Sequence, residues 1–101
     1  MIKNNENVKT VEMFTQVKCF CPLGKDWYTN KLHITLEITD YYIDYLDVQK
    51  FLKEEVEGHS YTIEGACKKI YDFLKEQGFE EIKIEAEASD GAHFPVKVTC
   101  Y

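Results

Sequence analysis

Hydrophobic and polar positions alternate most regularly in the middle of the first half of the chain. In residues 31–42, every second position from Leu32 to Ile38 is Leu or Ile, and the positions between them are His, Thr and Glu. A period of two is typical of a β-strand with one buried face. The pattern therefore predicts a strand over residues 31–42.

Three further segments have the same period and are predicted to be strands, over residues 8–20, 79–88 and 94–101. In the first of them the alternation slips near Phe14, which is compatible with a β-bulge. Residues 21–30 contain Pro22 and Gly24, and they predict a loop. The first two strands, joined by this loop, are expected to form an antiparallel hairpin.

Two segments in the centre of the chain have a helical period instead. The longer one lies within His59–Gly78, where Thr62 or Ser60 is expected to cap the start and Gly78 to end the helix. Its apolar stripe consists of Ile63, Ala66, Cys67, Ile70, Phe73 and Leu74. A shorter helix is predicted over residues 48–56, with Asp47 as its cap.

The predicted order is strand, strand, helix, helix, strand, strand. This order predicts an α+β fold in which two helices cover one face of a four-stranded antiparallel sheet. Residues 1–7 predict a disordered leader, and residues 8–101 a single domain. The sheet edges of one copy would be open, and four aromatic residues add apolar area outside the predicted core, so we expect copies to associate through these edges. The four are Phe14, Phe20, Tyr42 and Tyr101.

Charge and composition restrict the possible partners. The 101 residues carry a net charge of −6, and all 12 basic residues are Lys. An acidic chain argues against a nucleic-acid partner, and the absence of Arg removes the usual bidentate ligand for phosphate or carboxylate. No apolar run is long enough to cross a bilayer, and the polar first residues do not resemble a signal peptide. We therefore expect a cytoplasmic protein without a membrane partner.

The four cysteines are expected to be free thiols, because only Cys19 and Cys21 are close in sequence and they form C-x-C rather than C-x-x-C. No histidine has ligand spacing with them, so no metal site is predicted. Cys21, beside Pro22, could act as a nucleophile only with a neighbouring base that takes the proton of its thiol.

Several short motifs resemble dihydroneopterin aldolase, a family of tunnelling-fold enzymes. I-D-Y at residues 43–45 is similar to that family's V-N-Y, T-I-E-G-A at 62–66 to its L-I-E-T-L-A, and A-H-F-P at 92–95 to its A-P-I-P. V-E-G at 56–58 lies between them. The resemblance implies a ββααββ subunit that joins edge to edge into a β-barrel, as a tetramer or octamer. It also implies a pterin or purine-like ligand at the subunit boundary, and no cofactor.

The resemblance assigns Glu64 as the anchor of the base, because a carboxylate accepts two adjacent N–H groups as it accepts an arginine fork. Backbone groups of Thr62 and Ile63 would read the remaining edge. Tyr45 matches the family's active-site tyrosine, which lies near the substrate across the subunit boundary. By position alone, Glu64 also suits the first turn of a helix, where the dipole favours an acid.

The chain departs from the family at the lysine that belongs to its acid–base machinery, because Ser89 stands there. The loop 21–30 is also shorter and contains Asp26 as its only acid. Lys25, Lys31 or His93 could replace the lysine. The resemblance therefore implies either a lyase that cleaves the dihydroneopterin side chain in folate biosynthesis, or a non-catalytic binding module of the same fold.

A more distant resemblance is to 6-pyruvoyl- and 6-carboxy-tetrahydropterin synthases. Their T-A-E-N-L is similar to T-I-E-G-A, but they bind zinc through three histidines, two of them in an H-G-H motif. The matching segment here is N-K-L-H-I, with His33 alone. Three protein ligands are needed for catalytic zinc, so this resemblance implies a protein that lacks the metal site.

Overall fold

The computed structural model describes all residues from Met1 to Tyr101. The strands are β1 (Ile2–Lys3), β2 (Thr10–Cys21), β3 (Asp26–Glu37), β4 (Tyr41–Tyr42), β5 (Ile82–Ala88) and β6 (Val96–Cys100). The helices are α1 (Tyr45–Phe51), continued by a π-helical turn (Leu52–Val56), and α2 (Ile63–Glu76). None of these helices is both long and apolar enough to cross a membrane.

The main sheet has the order β2-β3-β5-β6, and every pair of neighbouring strands is antiparallel. The helices pack on one face of this sheet, and the alternating apolar residues of the strands meet the apolar stripes of the helices there. The predicted α+β architecture is therefore confirmed. Strands β2 and β6 are the two open edges of the sheet.

The predicted loop over residues 21–30 is wrong, because β3 begins at Asp26 and only a short turn separates it from β2. Cys21 pairs with Asp26, and the N–H of Lys25 donates to the carbonyl of Cys21 at 2.8 Å. The buried alternation of β3 in fact starts at Tyr28 and Asn30, which are 1% and 0% exposed. Because these two core positions hold an aromatic and an amide residue, the hydropathy pattern did not indicate that this segment belongs to the strand.

The predicted bulge near Phe14 is also wrong. The register of β2 with β3 is unbroken from Thr10–Glu37 to Cys21–Asp26. Phe14 lies on the outer face, which the helices do not cover, and its ring stacks on His33 with centroids 4.4 Å apart. The slip in the pattern therefore reflects an exposed cross-strand aromatic pair and not an extra residue.

The capping residues agree with prediction at α2 and differ at α1. Thr62 caps α2, since its Oγ1 accepts the N–H of Gly65 at 3.0 Å, and Gly78 follows the helix with φ +101°. Helix α1 begins at Tyr45 and not at residue 48. Its cap is Asp44 rather than Asp47, because the Asp44 carboxylate accepts the N–H of Leu46 at 2.9 Å.

The last two strands are shorter than predicted. Strand β5 begins at Ile82, although Phe79 is buried before it, and β6 begins at Val96. Pro95 directly precedes β6 and has no N–H to donate to a ladder, which accounts for the later start. Phe94, predicted to be in phase with the core, is 78% exposed.

Residues 1–7, the predicted disordered leader, contribute β1 to a small two-stranded sheet. Ile2 pairs with Tyr42 and Lys3 with Tyr41. The Asn4 amide donates to the carbonyls of Val8 and Thr39 at 2.9 and 2.8 Å. This small sheet lies where β3 ends.

Candidate functional site

The start of α2 carries the residues that the resemblance assigns to ligand binding. Ile63 is buried with 5% exposure, whereas Glu64 is exposed in the first turn. The Glu64 carboxylate takes part in none of the ion pairs of the chain. The Thr62 cap fixes this turn. The helix therefore holds an unpaired carboxylate at its positive end.

Residues 59–61, directly ahead of α2, are bound to the end of β2. The N–H of Phe20 donates to the carbonyl of His59, and the N–H of Tyr61 donates to the carbonyl of Phe20, both at 3.0 Å. Cys21 follows Phe20 and shares the helix-covered face of β2 with the buried Cys19. The end of β2, which carries the half-buried Cys21, is thus hydrogen-bonded to the segment that leads into α2.

Tyr28 lies at the centre of this region. Its hydroxyl donates to the carbonyl of Tyr61 at 2.7 Å. Burial is the main cause that raises the pKa of Tyr28, and the nearby Cys19, Cys21 and Glu64 raise it further. A phenol, a thiol and a carboxylate therefore share one end of the sheet.

Residues 89–95 close over the same end. The Asp90 carboxylate accepts the N–H of Thr29 at 2.8 Å, and this hydrogen bond lowers the pKa of Asp90. A Cβ placed on Gly91 would lie 3.1 Å from the Tyr28 Cβ, so the loop passes close to the phenol. The His93 ring lies 6.5 Å from the Tyr28 ring, between centroids. We call this region the head end: the turn 22–25, residues 59–64 and the loop 89–95.

Tyr45 lies at the opposite end of the sheet. It is the first residue of α1, and its side chain is 50% exposed. The helix that starts with Tyr45 ends near β2, where the Cys19 thiol donates to the carbonyl of Val56. We call this second region the tail end: β1, β4, the start of α1 and residues 77–81. One chain therefore does not bring Tyr45 and Glu64 together.

The three residues that could replace the family's lysine lie in different parts of the structure. Lys25 is exposed in the turn 22–25, and His93 lies in the loop 89–95, so both belong to the head end together with Ser89. The His93 Nδ1 donates to the carbonyl of Phe94 at 2.7 Å. Lys31 pairs with Glu87 on the outer face of the sheet and points away from α2.

Histidines and thiols do not converge in this structure. No group of three or more His, Cys, Asp and Glu residues is arranged to hold a metal ion. His33 lies on the outer face between Glu12 and Glu85, at 2.7 and 3.2 Å, on the side of the sheet opposite to Cys19.

The four cysteines are free, and they differ in burial. Burial raises the pKa of Cys19 to about 11 and that of Cys67 to about 12. Cys100 is partly buried beside Cys67, and burial raises its pKa as well. Cys21 is the half-buried thiol of the head end.

The position of Cys21 and the role of Tyr28 were missed by sequence reasoning. The signal was present, because Tyr28 and Asn30 continue the period of Leu32 and Ile34 backwards to the turn. Extending β3 in this way would have placed Cys21 opposite Asp26. The attachment of the end of β2 to the segment ahead of α2 depends on the pairing of Phe20 with Ser60, for which the sequence has no marker.

The larger surface cavities lie away from these residues. One of about 410 Å³ is at the tail end beside Tyr41 and Phe79, and another of about 370 Å³ is on the outer face beside Phe14 and His33. Neither Glu64 nor Tyr45 lines a larger cavity. In a single chain the head end is thus an open surface.

The fold as a whole is that of the tunnelling-fold proteins. A crystal structure described as that of the archaeosine synthase QueF-Like in the apo form superposes with a TM-score of 0.82 over 94% of each chain. The two sequences are 12% identical, so this likeness shows the fold alone. No protein-family model and no curated protein sequence matches the chain.

Proposed function

We propose that this protein binds a pterin or purine-like base at the head end, with Glu64 as the anchor. The observation that carries the proposal is the unpaired, exposed carboxylate held in the first turn of α2. The neighbour of the same fold is named as an archaeosine synthase, and this supports a purine-like ligand.

The local geometry suits the edge of such a base. A 2-amino-4-oxopyrimidine edge presents two adjacent N–H donors, and a carboxylate accepts both. The first N–H groups of a helix have no intrahelical partner, so those near Ile63 and Glu64 are available for the acceptors of the ligand. Thr62 uses its hydroxyl for Gly65 and would contribute through its backbone.

The site is completed in this proposal by a neighbouring copy that presents Tyr45. Three features support this: β2 and β6 are open edges, Tyr45 is exposed, and the head end of one chain is an open surface. We propose a closed ring of four subunits, or two such rings stacked into an octamer. Light scattering tests this arrangement, and a monomer at micromolar concentration would contradict it.

Two kinds of chemistry are consistent with the head end. The first is the retro-aldol step of dihydroneopterin aldolase, in which Tyr45 and a water would move the protons in place of the missing lysine. The second uses Cys21: its thiolate would add to an electrophilic carbon of the bound base, and the π electrons of that carbon would pass to the adjacent heteroatom. The hydrogen bonds that join Phe20, the neighbour of Cys21, to residues 59–61 favour this second candidate.

The binding proposal is tested by titrating the protein with neopterin and with a guanine analogue. Glu64→Gln is expected to weaken affinity by about 10- to 100-fold, because a charge-assisted hydrogen-bond pair is worth about 1.5–3 kcal/mol. Glu76→Gln, an exposed acid in the last turn of the same helix, is the matched control and should bind normally. Failure of the unmodified protein to bind either ligand would contradict the proposal.

A second measurement distinguishes the retro-aldol reaction from the thiol reaction. Release of glycolaldehyde from dihydroneopterin that is lost in Tyr45→Phe and retained in Cys21→Ser would support the aldolase. A ligand adduct on the protein, detected by mass and lost in Cys21→Ser, would support thiol chemistry. Binding with neither result would support the non-catalytic module.

A further inference from the structure

We infer that Tyr28 is a positioning residue of the proposed site, whose hydroxyl fixes the start of α2 relative to the strand end that carries Cys21. The inference rests on the proposed function, because it takes Glu64 as the ligand anchor. It adds a buried residue that no sequence motif marks.

Residue 61 is held from two sides. Its carbonyl accepts the Tyr28 hydroxyl of β3 at 2.7 Å, and its N–H donates to the carbonyl of Phe20 in β2 at 3.0 Å. Thr62, the cap of α2, is the next residue, and Glu64 follows two positions later. Both hydrogen bonds therefore determine where the first turn of α2 lies relative to Cys21.

The phenol has no room to move away from this position. Tyr28 is 1% exposed. The Gly91 backbone approaches it so closely that an added Cβ would be 3.1 Å from the Tyr28 Cβ and 3.5 Å from the carbonyl oxygen of Trp27. The loop is itself tied to β3 through Asp90 and the N–H of Thr29. The loop 89–95 thus packs against the Cα and Cβ of Tyr28, while the hydroxyl donates to the carbonyl of Tyr61.

Removing only the hydroxyl of Tyr28 distinguishes a role in positioning α2 from a role in packing the core. Tyr28→Phe keeps the ring that fills the core but leaves the carbonyl of Tyr61 without its side-chain donor. The first turn of α2 can then shift relative to β2. The affinity for the base and the environment of Cys21 should change together, while a purely structural role would change only the melting temperature.

The experiment compares Tyr28→Phe with Tyr71→Phe, which removes a phenol hydroxyl from the middle of α2 as a matched control. Neopterin affinity is expected to fall about tenfold in Tyr28→Phe, the upper range for one hydrogen bond, and to stay unchanged in Tyr71→Phe. The alkylation rate of Cys21 by iodoacetamide, followed on its own peptide by mass, is expected to change severalfold in Tyr28→Phe alone.

Unchanged affinity and an unchanged alkylation rate in a folded Tyr28→Phe would overturn the inference, even with a lower melting temperature. If the unmodified protein binds no base, the proposed function fails, and the alkylation rate of Cys21 alone decides the role of Tyr28. If Tyr28→Phe does not fold, Gly91→Ala replaces it, because its methyl group would meet the Cβ of Tyr28 at 3.1 Å and shift the residue that carries the hydroxyl. A normal Cys21 rate in that variant would overturn the inference.

Discussion

The head end and the tail end of the same sheet are built in different ways. At the head end, three irregular segments converge on β2 and β3 and are joined by backbone hydrogen bonds and by Tyr28 and Asp90. At the tail end, β1 and β4 pair over only two residues. The resemblance assigned Glu64 and Tyr45 to one site, yet the fold places them at these two ends. In the proposed assembly, each chain would therefore contribute a different half of the site at each end.

Both ends of the sheet expose apolar side chains. At the tail end, Leu46 and Tyr41 are 69% and 51% exposed, and at the head end Leu23 and Phe94 are 82% and 78% exposed. The head end also carries the exposed Glu64 carboxylate and a half-buried thiol. Apolar surface that is exposed in a single chain is typically covered by a partner. We expect the tail end of one copy to cover the head end of the next.

The largest expected effect concerns the thiols. At neutral pH, Cys21 at the head end should react with iodoacetamide at least about 100-fold faster than the buried Cys19 and Cys67, because the thiolate is the nucleophile. The pKa values of about 11 and about 12 leave those two groups protonated. Peptide mass mapping during partial alkylation measures the ratio. Comparable rates at Cys21 and Cys67 would show that the head end does not expose its thiol.

Alkaline pH should destabilise the covered face of the sheet. Cys19 and Cys67 hold their protons to about pH 11 and 12 in the folded chain, against a usual pKa of 9.0. The unfolded chain releases these protons first, so this contribution to stability is complete below pH 9 and is lost as the pH rises towards 12. Thermal melts from pH 7 to 11 should show a falling melting temperature.

Cys67→Ala is the informative variant for this pH effect. Its melting temperature at pH 7 should be lower because of the cavity, but its decline above pH 9 should be shallower than that of the unmodified chain. If the melting temperatures of the two proteins fall equally steeply above pH 9, groups other than Cys67 cause the loss of stability at alkaline pH.

Two glycines with positive φ allow a direct comparison of the two ends. Gly91 at the head end has φ +92° and lies against Tyr28, while Gly78 at the tail end has φ +101° and open space around it. Gly78→Ala should cost about 1 kcal/mol of unfolding free energy, from the backbone alone. Gly91→Ala should cost about 2–3 kcal/mol, since its methyl group also crowds the Cβ of Tyr28. Urea denaturation measures both, and equal losses would mean that the loop 89–95 is not held against β3.

The sequence was sufficient for the architecture and for the apolar stripe of α2. The alternation from Leu32 to Ile38 and this stripe determine which faces are buried, so the order of strands and helices along the chain follows from local patterns. The sequence also limited the cap of α2 to Thr62 or Ser60, and Thr62 is the cap in the structure. These predictions depended on neighbouring residues only.

The features that the sequence did not predict depend on contacts between residues that are far apart in the chain. Asn30 is polar at a fully buried position, and neither of its amide atoms has a partner within the chain, so hydropathy placed it in a loop. The attachment of the end of β2 to the segment ahead of α2 arises from the pairing of Phe20 with Ser60, 40 positions later. The separation of Tyr45 from Glu64 follows from the length of β3, whose start was predicted five residues too late.

The smallest expected effects come from the helix caps at the two ends. Thr62→Ala at the head end and Asp44→Ala at the tail end should each cost about 1 kcal/mol, since each removes one side-chain acceptor of a first-turn N–H. Asp47→Ala is the control for α1, because the Asp47 carboxylate caps nothing. Chemical denaturation of the three variants measures the loss.

Ligand affinity in the same variants decides whether the two ends meet in one site. Thr62→Ala should weaken base binding, because the turn that holds Glu64 frays, and Thr62→Ser should restore it. If a neighbouring copy supplies Tyr45, Asp44→Ala should also weaken binding, because it loosens the turn that carries Tyr45. Normal affinity in Asp44→Ala, with a measured loss of stability, would leave the head end as a complete site on its own.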